Sequence, residues 1–235
     1  MKKIFYLIFC LAIVVSCSKD EDDTSEAKTN NFQSAEEYLE NPSVSQAIKK
    51  AGVSVNLGDN PPVLSGDYDA DGRVIKAGEP INNLIGLDIN SLFSLYNQTS
   101  SGKISFHESV NGINVWGSGG YITGDNSRFT IWQESKQRGE EAGLPDNVTV
   151  TIALVMIGTK LSNGDLSAKG ISIITDATSS NSDYQVNEQV IKDGELWWMW
   201  DVDFALQNKT VSSTKNKPSN LVFHNIYELL FEKVR

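Results

Sequence analysis

The chain has 235 residues, with 20 Lys and Arg against 30 Asp and Glu, a net charge of −10, two cysteines and two histidines. So acidic a balance makes nucleic acid and bare anionic lipid head groups poor partners. Cys10 lies in an apolar leader and Cys17 at its end, so disulfides, thiolate zinc sites and cysteine nucleophiles are excluded from the folded part. His107 and His224 stand far apart, which argues against a histidine-rich metal centre or a histidine-based triad.

The chain begins with Met1-Lys2-Lys3, followed by an apolar run from Ile4 to Val15 that is too short to span a bilayer as a finished helix. Val14-Val15-Ser16-Cys17 then resembles the lipobox of bacterial lipoproteins. The resemblance implies a signal peptide over 1–16, cleavage before Cys17 and acylation of that cysteine, which would hold the protein to a lipid bilayer. An ordinary secretory signal cut elsewhere is the alternative, and it leaves Cys17 as an unexplained free thiol. Ser18-Lys19-Asp20-Glu21-Asp22-Asp23 resembles the acidic export signal of Bacteroidetes-type lipoproteins, which implies the outer face of the outer membrane. A solvated charged linker explains the same letters, and surface display is weighed above a periplasmic facing. Residues 17–33 read as lipidated cysteine plus flexible tether, and 34–235 as a single domain.

Order is expected from Ser34, where Ser34-x-x-Glu37 has the pattern of a capping box; Ser43-x-x-Gln46 repeats it and opens a helix from Val44 to Ala51 closed by Gly52. From Val53 the hydrophobic period becomes two. Strands are predicted at 63–68, 73–77, 87–96, 103–110, 113–122, 128–135, 148–159, 166–175, 184–191 and 196–206. Asp71-Gly72, Ser101-Gly102, Asn111-Gly112, Asn163-Gly164 and Asp193-Gly194 punctuate them as turn signals. In the last strand Leu196, Trp198, Trp200, Val202, Phe204 and Leu206 fall on one face, which leaves Trp197 and Met199 on the other. An apolar stripe of Val222, Phe223, Ile226, Leu229 and Leu230 predicts a terminal helix over 221–235, with the Trp197 and Met199 patch as its landing site.

Pro61-Pro62-x-x-x-Gly66-x-Tyr68 at the head of the meander resembles the start of a group of surface lipoproteins from the same bacteria. The order of short helix, Gly-x-aromatic strand, meander and terminal helix is similar to that of lipocalin-like barrels, with Tyr68 where lipocalins have tryptophan. The expected fold is therefore all-β: an antiparallel meander forming a lipocalin-like barrel or a strongly curved sheet, with short N-terminal helices and a C-terminal helix.

Several residues are candidates for chemistry. Asp67-x-Asp69-x-Asp71-Gly72 has the spacing of the first half of a calcium loop, and a hairpin turn, weighed above it, explains the same letters. Trp116, Trp132 and Trp197 are candidate ligand contacts, since an exposed indole packs on sugar C–H faces, although such rings more often belong to a core. Glu108 and Glu188 lie on otherwise apolar strand faces and would form an acid and base pair if they met. The expected function is non-catalytic binding of a small apolar or glycan ligand by an anchored outer-membrane protein. The rivals are a glycan hydrolase using carboxylates, and an accessory subunit of an outer-membrane complex that docks through Trp197 and Met199.

Overall fold

The computed structural model describes residues 32–110, 113–138, 148–180, 184–207 and 230–233. Cys17, the acidic segment behind it, Asn111-Gly112 and positions 221–229 of the expected terminal helix lie outside these residues.

Helix α1 (Ala35–Glu40) starts where expected: the Ser34 hydroxyl accepts from the Glu37 N–H at 3.3 Å, and the Glu37 carboxylate accepts from the Gln33 N–H. In helix α2 (Pro42–Ala51) the cap falls two residues earlier than the Ser43-x-x-Gln46 pattern suggests. Asn41 Oδ1 accepts from the Val44 N–H at 3.2 Å, and Pro42 occupies the first turn, where its missing N–H costs nothing. Ser43 is therefore inside the helix, and its hydroxyl is released for a tertiary contact. Gly52, at φ +75°, ends the helix in the left-handed conformation that glycine adopts without steric cost.

After the short strand β1 (Asp59–Asn60) the chain forms β2 (Gly66–Ala77), a 3-10 helix over Glu79–Leu84, β3 (Asp88–Tyr96), β4 (Lys103–Val110), β5 (Ile113–Asp125), β6 (Arg128–Arg138), β7 (Val148–Lys160) and β8 (Leu166–Ser179). There follow β9 (Tyr184–Val186), helix α3 (Glu188–Lys192), β10 (Trp197–Leu206) and β11 (Phe231–Lys233). Strands β2 to β8 pair in sequence, β10 pairs with both β8 and β2, and every one of these pairings is antiparallel. Eight strands thus close an up-and-down barrel of the lipocalin-like kind, and β1 adds to its rim in parallel with β5.

The barrel has fewer strands than the ten predicted, for two physical reasons. Gly72 does not make a turn. It lies mid-strand, where a Cβ would stand 2.3 Å from Val202 Cγ2 and 2.4 Å from the Asp201 carbonyl oxygen, so glycine is needed for close approach of β10. The two expected segments on either side of it are one strand. The expected strand over 184–191 is three residues of β9 followed by α3, and neither belongs to the barrel. At the described end of the predicted terminal helix Leu230 is helical and fully buried, as its stripe implies, whereas Phe231–Lys233 leaves the helix and pairs with β9 as a strand.

The core has two layers. Inside the barrel, Tyr68, Phe93, Phe106 and Phe204 pack with ring centroids 5.3–6.4 Å apart, alongside Leu95, Ile104, Ile131 and Val202. Outside it, α1 and α2 lay Tyr38, Val44, Ala47 and Ile48 over Trp132, Val155, Ile171, Ile173, Trp197 and Met199. The Trp197 and Met199 patch is thus covered by an N-terminal helix, and the docking-face rival loses its surface.

Candidate ligand site in the barrel lumen

The alternation of each strand decides what lines the interior, and the two ends of that interior differ. At one end the interior is sealed: Tyr68, Phe93, Phe106, Phe129 and Phe204 keep 0–2 % of their surface, and Leu64 lies across them fully buried. At the other end Ser135, Ile152, Leu154, Ser172, Trp198 and Trp200 keep 7–9 %. These residues form one contiguous patch, since Ser135 pairs with Ile152, Leu154 with Ser172 and Ser172 with Trp198 across β6, β7, β8 and β10. The residual surface at these side-by-side positions sets this end of the interior apart from the sealed one.

On the opposite wall stands Glu108. It pairs with Phe93 in the ladder, so it shares the inward face with Phe106. Its carboxylate accepts one hydrogen bond, from the Ser91 hydroxyl at 2.9 Å. The residue is half-buried on this face. Burial pushes its carboxyl above the usual range, and the Ser91 hydrogen bond opposes this only in part. The wall beside it turns polar along β6, where Phe129 and Ile131 give way to Gln133, Ser135 and Gln137 on the inward face. Gln137 is buried with its Oε1 unpartnered. Gln133 occupies room left by two glycines: a Cβ on Gly117 would be 2.5 Å from Gln133 Cδ, and one on Gly120 would be 2.0 Å from Gln133 Oε1.

Trp200 sets the floor between the two ends. Its indole lies flat on Gly170, where a Cβ would come within 2.0 Å of the ring, and its N–H donates to Ser172 Oγ at 3.3 Å. Above this floor the connections between strands close over the opening. Ile81 and Leu84 come from the 3-10 helix, Ile191 from α3, and Leu196 and Leu230 complete the cover. Helix α2 holds this cover down: Ser43 Oγ donates to the Ile191 carbonyl at 2.9 Å, and Lys50 Nζ to the Asp193 carbonyl at 3.1 Å while pairing with Glu195.

The sequence candidates are distributed differently. Trp132 is fully buried on the outer wall beneath Tyr38, with its N–H donated to Thr123 Oγ1 at 3.0 Å. Trp197 is buried beneath α2 with its N–H unpartnered, and the Lys76 ammonium stands 5.9 Å from its ring centroid. Trp116 pairs with His107 on β5, and its side chain lies outside the described part. Neither described indole offers a face to a sugar. Asp67, Asp69 and Asp71 follow one another along one face of β2, where alternate side chains stand about 7 Å apart. Asp67 accepts from Ser94 and Asp69 from Gln207, and among the described residues no three His, Cys, Asp or Glu side chains are grouped to hold an ion. Glu188 is on the surface of α3, bonded to Lys192 one turn on, so it does not meet Glu108.

The lumen residues that sequence reasoning passed over carried a signal: the Phe129-x-Ile131-x-Gln133-x-Ser135-x-Gln137 face changes from apolar to amide and hydroxyl halfway along one strand. A shallow depression of about 240 Å³ on the outer wall, lined by Arg128, Lys169 and Asp201 among others, is open to solvent and has no buried polar group. No protein family, curated protein or solved structure matches the chain.

Proposed function

We propose that this protein is a lipid-anchored, surface-displayed outer-membrane lipoprotein that holds a small, largely apolar ligand in the lumen of its barrel without transforming it. One observation carries the binding: an enclosed lumen end where Trp198, Trp200, Ile152 and Leu154 retain surface across from an inward carboxyl. The anchor and the display rest on the lipobox-like Val14-Val15-Ser16-Cys17 and the acidic run behind it. A glycan ligand on a sheet face has less support, because Trp132 and Trp197 are covered. The hydrolase reading has less as well, because Glu108 and Glu188 are separated and an acid and base pair needs both at one bond.

Native mass spectrometry of the full chain, purified gently from its own cells, tests the binding. A retained mass of lipid size is expected, lost when Trp198 or Leu154 is exchanged for a charged residue. A bare polypeptide mass in repeated preparations would overturn it. Protease treatment of intact cells tests display, with digestion of the domain expected.

A further inference from the structure

Resting on the lumen-binding reading, we infer that the ligand is an amphiphilic amine, whose ammonium group meets Glu108 while its apolar body lies against Trp198 and Trp200.

Glu108 is the sole charged side chain on the inward face of the barrel among the described residues. A carboxylate has room for about four hydrogen bonds, and this one accepts one, from the neutral Ser91 hydroxyl. No Lys, Arg or His of the described lumen stands opposite it. A buried carboxyl without a counter-charge costs stability in either protonation state, because the ionised form is desolvated and the neutral form has a donor to place. A closed apolar core would have had a leucine there, as the adjacent inward positions Ile104 and Phe106 show. The missing partner is therefore a cation or a strong donor brought from outside.

The rest of the end favours the amine. Gln137 contributes a buried, unpartnered acceptor, and Ser135 and Ser172 contribute hydroxyls, so an ammonium with three N–H donors finds more than one acceptor. The faces of Trp198 and Trp200 favour a cation over an anion. The chain's net charge of −10 draws cations toward it. A fatty acid would place a second carboxylate beside the first, which like charge and desolvation both oppose.

Binding must then move a proton. Burial raises the Glu108 carboxyl, and an ammonium beside it favours the ionised form, so amine binding shifts the carboxyl toward ionisation and releases protons over the pH range between the two. Among the described residues no other inward position at this end is titratable: β3 supplies Ser91, β6 supplies Gln133, Ser135 and Gln137, β8 supplies Ser172 and β10 supplies Trp198. Glu188 and Lys192, on the covering α3, face solvent.

The test uses the full chain in non-ionic micelles, titrated calorimetrically with three ten-carbon probes: decylamine, decanol and decanoate. Decylamine is expected to bind about tenfold tighter than decanol, with decanoate weakest, and titration at about pH 5 in two buffers of different ionisation heat is expected to show net proton release on amine binding. Glu108→Gln should bring decylamine and decanol to equal affinity while leaving decanol within about twofold of its original value. Equal affinity for decanol and decylamine in the unaltered protein, absence of proton release, or a preference that persists in Glu108→Gln would overturn the amine inference while leaving lumen binding intact. Failure of all three probes to bind would overturn both.

Discussion

Replacing Gly170 by alanine inserts a methyl group under the largest ring of the lumen. An alanine Cβ would lie 2.0 Å from Cζ2 of Trp200 and 2.2 Å from two further ring atoms, whereas carbon atoms pack at about 3.5–4.0 Å. The indole has to retreat by about 1.5 Å to restore contact. It cannot do so by sliding along the strand, because its N–H is bonded to Ser172 and its edge abuts Phe204 at 6.4 Å between centroids. The remaining direction is away from Gly170, toward the lumen. Overpacking of this kind costs about 1–3 kcal/mol. In a domain of this size each kcal/mol lowers the midpoint by about 2–4 °C, so thermal unfolding should shift down by roughly 2–12 °C. Near-ultraviolet circular dichroism, which reads the indole packing, should change in the folded state, and any ligand seated on Trp200 should bind more weakly. A midpoint and an aromatic spectrum both unchanged would refute the seating of Trp200 on Gly170, and with it the floor of the proposed site.

Trp132→Ala should cost about 3–5 kcal/mol in chemical denaturation and loosen α1, since Tyr38 packs on the ring at 5.8 Å; a loss of glycan binding with stability preserved would contradict its structural role. Ser43→Ala removes a buried hydrogen bond to the Ile191 carbonyl and should cost about 1 kcal/mol, with faster hydrogen exchange over residues 188–194; unchanged exchange would show that α2 does not hold the lumen cover. The raised Glu108 carboxyl gives a pH dependence of definite sign. The folded state keeps its proton above pH 4.5, where the unfolded chain loses it, so the folded state binds more protons and stability falls as pH rises from 4.5 toward the shifted value. Glu108→Gln should therefore exceed the unaltered protein in stability at about pH 7 and match it at about pH 4, and a constant difference across that range would mean that the carboxyl is not buried.

Much of the architecture follows from local patterning. The alternation from Trp197 to Leu206 fixes which indoles face inward, and the register of β10 agrees with it residue by residue against β8 and, after one shift between Met199 and Trp200, against β2. What local patterning leaves open is the meaning of a glycine. Asp71-Gly72 and Ser101-Gly102 are alike as dipeptides, yet Gly102 turns the chain at φ +74° while Gly72 continues a strand pressed against Val202. The difference lies in a neighbour more than a hundred positions away. Proline in the first turn of α2 acts similarly: it lets Asn41 take the cap and sends the Ser43 hydroxyl to the far side of the lumen cover.

The site was legible in its residues and hidden in its geometry. Period-two alternation divides a strand into two faces, and Glu108 belongs unambiguously to the apolar one. It does not say which end of a barrel is sealed, and the sealed end depends on Leu64 and on the rings of five different strands packing together. Nor does it separate a strand from a one-turn helix when the segment is as short as 184–191, so Glu188 reads as an inward partner for Glu108 although α3 turns it outward to Lys192. Without that partner Glu108 is a single carboxyl on the inward face, hydrogen-bonded to Ser91 and, among the described residues, with no counter-charge on that face. A lone carboxyl in that position gives the fold nothing that a leucine would not give more stably, and the charge complementarity it lacks is the property a bound ligand would supply.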